Sequence, residues 1–137
     1  MVYSFHEHIA DIKFSASGNS LEEMFSESAL ALREAICEKS NIFPKKEKII
    51  NISGNSLENL LYKFLEEFLF LLDAENFVLS EIKEVSIDLA KLTLTATISG
   101  DSASEYEFTN EVKAITYSQM EINKTEKGFE SIVVLDV

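Results

Sequence analysis

The sequence predicts an α+β fold, a single-domain sandwich in which a mixed or antiparallel β-sheet carries two main helices on one face. Two stretches have apolar residues at helical spacing, and each follows a short segment of strand character. From Phe77 onwards, apolar and polar residues alternate instead, as in consecutive strands. The 137 residues, 46% of them hydrophobic, suit one domain over residues 1–137 with a substantial core.

The first strand is predicted over residues 10–17, where even positions are apolar and odd positions polar. This alternation places Asp11 on the face opposite the core side chains Ile12 and Phe14. The following apolar residues are spaced for an amphipathic helix from about residue 20 to 38. The single Cys37 falls within this pattern and is expected to be a small buried side chain.

The hexapeptide SGNSLE occurs twice, at 17–22 and at 53–58. The second copy follows a short predicted strand, 49–52, and precedes a strongly apolar helix over 57–72. Gly would allow a tight exit from each strand, and Asn or Ser would accept the N–H groups of the first helical turn. A phosphate cradle would normally contain more glycines or a lysine, so a helix start is the favoured interpretation. The repetition fits either an old duplication or convergence.

The remaining chain is predicted to be a connector followed by strands. Residues 41–48 contain the only proline and three lysines, and a solvated loop is favoured there over a small anion-binding patch. Turns are predicted at 88–91, 100–104 and 124–128. Strands are predicted at 82–89, 92–99, 106–108, 112–120 and 129–135.

The charge composition argues against nucleic acid and anionic lipid as direct partners. There are 24 acidic and 12 basic side chains, giving a formal net charge of −12. Such a surface repels phosphate groups, so strong direct binding of nucleic acid is not expected. A basic protein or a metal cation is the natural complement.

The chain also lacks the sequence signals of export or membrane insertion. Its N-terminal residues do not resemble a signal peptide, and the apolar stretch 60–72 is short and interrupted by charges. A cytoplasmic protein is therefore expected.

Candidate chemistry centres on carboxylates, because no nucleotide-binding, hydrolase or zinc-protease motif is present. His6 and His8 make a weak zinc pair without a third nitrogen or sulfur ligand. If the last segment is a strand beside the first, Asp136 and the terminal α-carboxylate of Val137 would meet Asp11. Three carboxylates in one place call for a cation, and oxygen ligands select Ca²⁺, Mg²⁺ or Mn²⁺. A C-terminal aspartate is otherwise an ordinary solvated group.

Four segments, in order, resemble the archease family. FHEHIADIKFSASGNSLEEMFSESALAL at 5–32 is similar to that family's N-terminal signature, whose usual form contains D-H-T-A-D and then S-L-E-E-x-F. LENLLYKFLEEFLFLLDAENFVLSE at 57–81 resembles its second helix and the acidic turn that follows. EVKAITYSQM at 111–120 is similar to its V-K-A-x-T-Y-H motif, and SIVVLDV at 131–137 to its C-terminus. Together these segments span most of the chain.

The resemblance implies a non-catalytic activator of the GTP-dependent tRNA-splicing RNA ligase, with no small-molecule substrate of its own. Such a protein promotes guanylylation of the ligase active-site histidine and supports multiple turnover. The resemblance also implies a divalent-metal site, described in the family as calcium-binding, at Asp11, Asp136 and Val137. Lys113 corresponds to a lysine needed for activation, although a lone strand lysine is otherwise a solvated surface group.

Three positions depart from the family pattern. Glu7 stands for the first aspartate of D-H-T-A-D, Ile9 for its threonine, and Ser118 for the histidine after T-Y. Glu7 keeps the negative charge, and with His8 it is expected to lie around the metal ligands. Ser118 cannot act as an imidazole.

Two other classes of function remain alternatives. The first is a metal-dependent phosphoester hydrolase that uses Asp11, Asp136 and Glu7, with His8 as the sole plausible general base. The second is a chaperone-like interaction module that acts through apolar side chains of the second helix. The spacing of those side chains is, however, that of a core face.

Overall fold

The structure is a computed structural model that describes residues 2–6, 11–38 and 41–137. Within these ranges the chain forms strands and helices in the order β-β-α-β-α-β-β-β-β. Their bounds are β1 Val2–His6, β2 Asp11–Gly18, α1 Leu21–Ile36, β3 Lys46–Ser53, α2 Leu57–Glu75, β4 Phe77–Asp88, β5 Thr93–Ser102, β6 Ala114–Lys124 and β7 Phe129–Asp136. A short 3₁₀ turn, Ala103–Glu105, follows β5.

The strands form two antiparallel sheets, which confirms the α+β class but not a single sheet. The first has four strands in the order β1-β2-β7-β6, and the second has three in the order β3-β5-β4. Alternation along a strand shows which side chains share a face. It does not show which strands pair, so the number of sheets was not predictable from it.

The two helices connect the two sheets through one core. Helix α1 packs against β2 and β4, and α2 packs against β6, β4 and β3. Phe14 of β2, Phe25 of α1, Phe64 of α2 and Leu135 of β7 are all fully buried in the same hydrophobic cluster. The predicted core stripe of α2 is thus confirmed, and so is the burial of Cys37.

Both copies of SGNSLE begin a helix, as predicted. Ser20 Oγ accepts a hydrogen bond from the Glu23 N–H at 3.1 Å, and Glu23 Oε2 accepts one from the Asn19 N–H at 2.9 Å. In the second copy Ser56 Oγ accepts from the Asn59 N–H at 3.0 Å. The two serine bonds satisfy N–H groups that the first turn of a helix leaves without partners, and the Glu23 bond satisfies the N–H of the residue before the cap. The chain's own side chains therefore occupy the place where a phosphate would bind.

Neither glycine in these corners has a positive φ, so backbone conformation does not require glycine there. Close packing does. A Cβ on Gly18 would lie 2.5 Å from Glu23 Cβ, and one on Gly54 would lie 2.9 Å from the Leu60 nitrogen. The strand end and the first helical turn approach so closely that there is no room for a side chain.

The structure differs from the predicted elements at several places, and two of the differences have a clear physical reason. Strand β1 was not predicted. Strand β3 begins at Lys46, inside the predicted connector, because an edge strand accommodates charged side chains. The predicted loop at 100–104 instead continues β5 as far as Ser102. The segment 106–108 is not a strand. The Tyr106 hydroxyl instead donates a hydrogen bond to the Asp101 carboxylate and accepts one from the Phe43 N–H.

In the part of the chain that the structure describes, no helix is long and apolar enough to span a membrane.

Candidate functional site

Asp11 and Asp136 face each other at one end of the four-stranded sheet. Strands β2 and β7 are antiparallel, and their register makes these two residues direct cross-strand neighbours. Directly opposed side chains lie on the same face, with Cβ atoms typically about 4.5–5.5 Å apart. Phe14 and Leu135 face the core, so the two carboxylates lie on the opposite face. The pairing of β7 with β2 is the condition under which the sequence brings Asp136 to Asp11.

Lys113 joins the same end of the sheet from the other side of β7. Ala114, the first residue of β6, is the cross-strand neighbour of Asp136. The Lys113 N–H donates a hydrogen bond to the Asp136 carbonyl oxygen at 2.8 Å. The Lys113 side chain is exposed. The backbone at Asp136 therefore lies between Asp11 of β2 on one side and Lys113 on the other.

Of the remaining predicted site residues, Val137 lies beside Asp136, and the others are outside the described residues. Val137 directly follows β7 and is half-buried. Glu7, His8 and Ile9 are outside the described ranges, and so the roles predicted for them stay predictions. Strand β1 ends at His6, whose cross-strand neighbour is Lys13.

The donor atoms suit a hard cation. The described side chains contribute two carboxylates, and across residues 2–6, 11–38 and 41–137 no group of three His, Cys, Asp or Glu side chains is arranged to hold a metal. Val137, the next residue after Asp136, offers main-chain oxygens as further ligands. A set made only of oxygens fits Ca²⁺, Mg²⁺ or Mn²⁺ rather than zinc or copper.

A segment that ends at Lys113 is held against the C-terminal end of α1. The Thr109 N–H donates to the Ile36 carbonyl oxygen at 2.8 Å, and Asn110 Nδ2 donates to the Ala35 carbonyl oxygen at 2.9 Å. These carbonyls are among those that the end of a helix leaves without intrahelical partners. Lys113 also lines an open cleft of about 830 Å³ beside the end of α2, together with Asp73, Asn76, Tyr106 and Glu111.

Lys13 and Gln119 also lie on the face that carries the two carboxylates. Lys13 is two residues along β2 from Asp11, and its Nζ donates to Gln119 Oε1 at 2.9 Å. Lys13 could have been identified from the sequence, because residues two apart in a strand point to the same face and Lys13 is two residues from Asp11. Gln119 could not have been identified in this way, because it lies in a bulge of β6, where its left-handed φ of 61° interrupts the regular alternation of side chains.

The bulge changes the direction in which neighbouring β6 side chains point. Thr116 pairs with Val134 and Glu121 with Ile132, so residues 117–120 lie opposite Val133 alone. Tyr117 stacks on Tyr62 of α2 with ring centroids 4.3 Å apart and planes at 7°. Partial burial is the main cause of a raised pKa for the Tyr62 hydroxyl. One short segment thereby contacts both α2 and the face that carries Asp11.

Comparison with known proteins gives one consistent result. The model of the Archease protein family (MTH1598/TM1083) matches residues 3–137. The "Protein archease" of Saccharolobus islandicus is 39% identical over 98% of both chains. That of Methanosarcina mazei is 32% identical over 98% of this chain and 95% of the relative. The solution structure of Protein 1598 of Methanobacterium thermoautotrophicum superposes with a TM-score of 0.85, at 33% identity over 98% of both chains.

Proposed function

Because the chain belongs to the archease family, we propose that it activates an RNA ligase of tRNA splicing and is not itself an enzyme. It acts in the cytoplasm and promotes the GTP-dependent guanylylation of the ligase active-site histidine, which allows multiple turnover. The observation that supports this most directly is the meeting of Asp11, Asp136 and the Lys113 backbone at one end of the sheet.

A divalent cation is part of the proposal. Asp11 and Asp136 would hold it with main-chain oxygens of Val137, while Glu7 and His8 lie around these ligands. Ca²⁺ is the first candidate, and Mg²⁺ or Mn²⁺ suits the same oxygen donors. When bound, the ion offsets the repulsion between neighbouring carboxylates and orders the end of β7.

In this proposal the side-chain ammonium of Lys113 contacts the ligase. Its side chain is exposed, while its backbone is fixed by the bond to Asp136 and by the loop anchored on α1. A lysine ammonium on a flexible stem is suited to contact a phosphate oxygen of the nucleotide being transferred. The net charge of −12 favours approach to an enzyme whose nucleic-acid groove is basic.

Guanylylation of the ligase tests the activator role. With radiolabelled GTP and purified ligase, Asp11→Ala, Asp136→Ala and Lys113→Ala should each lower the stimulated rate by at least about tenfold, which corresponds to about 1.4 kcal/mol. Lys124→Ala is the matched control, because this exposed lysine lies at the other end of β6. Full stimulation by folded variants would refute the proposed site. Turnover of phosphoesters by the protein alone would refute a non-catalytic role.

Thermal unfolding tests the metal site separately. Binding of an ion only to the folded chain stabilises it by about 2.7 kcal/mol when the free ion is at 100 times its Kd. We therefore expect Ca²⁺ to raise the melting temperature relative to EDTA for the wild type but not for Asp136→Asn. An equal rise in melting temperature for the wild type and Asp136→Asn would exclude Asp136 as a ligand. The activator role would then be tested by the guanylylation assay alone.

A further inference from the structure

Strand β3 is an exposed edge with unbroken geometry. It pairs with β5 on one side, and among the described residues no strand pairs with its other side. All eight residues, Lys46–Ser53, are in continuous register with β5. The other side of such a strand presents backbone N–H and C=O groups that are able to pair with an added strand.

A groove lies beside this edge because α2 also flanks it. It is an open depression of about 390 Å³ lined by Ile52 of β3 and by Lys63, Glu66, Glu67 and Phe70 of α2. The Phe70 side chain is 54% exposed, whereas its neighbours Phe68 and Leu69 are buried. The groove thus offers an apolar ring beside a row of hydrogen-bonding backbone groups.

The groove contains two carboxylates and one lysine, so its charge favours a cation. Neither Glu66 nor Glu67 forms a salt bridge with any residue in the described part of the chain. Burial is the main cause of a raised pKa for the Glu67 carboxyl, and the negative charges of Glu75 and Glu66 add to it. Lys63 is directed to the end of β3, since its Nζ donates to the Ser53 carbonyl oxygen at 3.1 Å.

The opposite edge of the same sheet, β4, is less suited to strand addition. Its register with β5 breaks between Leu79 and Glu81 and again between Ile82 and Glu84. Such bulges are a common way to prevent an edge strand from pairing with another chain.

We propose that β3 and the groove beside it bind an extended, basic segment of a partner protein, which adds as a fourth strand. Alternate side chains of that segment would face α2. One of them is apolar and packs on Phe70 and Ile52, and the next is a lysine or arginine near Glu66 and Glu67. Backbone hydrogen bonds supply affinity in this mode of recognition, and the side chains supply selectivity. The proposal does not depend on the metal site, whose residues lie on the other sheet.

The probe is a fluorescein-labelled octapeptide in which threonine alternates with arginine and valine, compared with a version that has glutamate in place of arginine. We expect saturable binding of the arginine peptide only, measured by fluorescence anisotropy. The double variant Glu66→Lys/Glu67→Lys should weaken binding by about tenfold. Phe70→Ser should also weaken it. Glu84→Lys on β4 is the matched control and should leave the affinity unchanged.

Amide hydrogen exchange locates the bound peptide. Protection should increase for backbone N–H groups of β3 and not of β4. All substituted side chains are solvent-accessible and lie outside the core, and circular dichroism verifies that each variant is folded. The proposal fails if the arginine peptide does not bind at millimolar concentration, if the groove variants bind it as wild type does, or if protection appears on β4. A dimer in sedimentation equilibrium that Phe70→Ser dissociates would assign the groove to a second copy and would also overturn it.

Discussion

At the scale of single residues, the environment of each aspartate determines its role. Asp101 is 4% exposed and accepts hydrogen bonds from the Tyr106 hydroxyl at 2.7 Å and from the Ser102 N–H at 2.8 Å. These bonds lower the pKa of the Asp101 carboxyl, with the Tyr106 hydroxyl as the largest cause. Asp136, by contrast, is exposed at a strand end. Asp101 is therefore a structural carboxylate, and Asp136 is available to a ligand.

Acid titration should test the structural role of Asp101. Because the folded pKa of Asp101 lies below its unfolded value, its stabilising contribution is complete above about pH 3.9. It is lost as the pH falls through the lowered folded pKa. In urea unfolding, Asp101→Asn should therefore be less stable than wild type at neutral pH, and the difference should shrink below about pH 3.9. Asp73→Asn, at an exposed position of α2, is the control. A difference that does not change with pH would contradict the assignment.

At the scale of elements, the two helix starts use the same device with different partners. Ser20 and Ser56 each cap the first turn, and the returning side chain is Glu23 in one case and Asn59 in the other. A reciprocal pair of this kind holds the residue before the cap against the first turn of the helix. Since α1 and α2 both pack on two sheets, the caps help to set the relative position of the sheets.

Removal of either cap should destabilise the fold measurably. Ser20→Ala and Ser56→Ala should each lower the free energy of unfolding by about 1 kcal/mol. Ser86→Ala, at an exposed position of β4, should have little effect and serves as the control. Gly18→Ala should cost more than either cap, because its Cβ would lie 2.5 Å from Glu23 Cβ. Equal effects of Ser20→Ala and Ser86→Ala in chemical denaturation would exclude a capping role for Ser20.

At the scale of the whole molecule, charge and architecture are separate contributions. The net charge of −12 governs how the protein approaches a partner, and it does not determine the fold. The architecture brings β2 and β7 together, so that residues 125 positions apart, Asp11 and Asp136, become neighbours. Activation of a basic partner would combine the two effects, attraction over distance and a defined contact site.

Ionic strength should reveal the first of these effects. Raising it from about 0.01 M to 0.15 M shortens the screening length from about 30 Å to 8 Å. The concentration of this protein that half-maximally stimulates ligase guanylylation should rise over this range, because the association rate falls. The guanylylation rate of the ligase alone, at the same salt concentrations, is the reference. A half-maximal concentration that does not depend on salt would argue against electrostatic attraction.

Local patterns in the sequence were sufficient for several features. Capping residues act on the turn beside them, so both helix starts were predictable. Alternation within β2 and β7 gave the faces of Asp11 and Asp136, because side chains of a strand point alternately to its two sides. The same alternation would have identified Lys13.

Other features were decided only by contacts between distant parts of the chain. The division into two sheets, the β6 bulge that orients Tyr117 and Gln119, and the bond between Tyr106 and Asp101 depend on partners from other elements. The exposure of Phe70 likewise depends on where β3 ends the sheet. Composition and periodicity describe one segment at a time, whereas the pairing of strands is a property of the packed molecule.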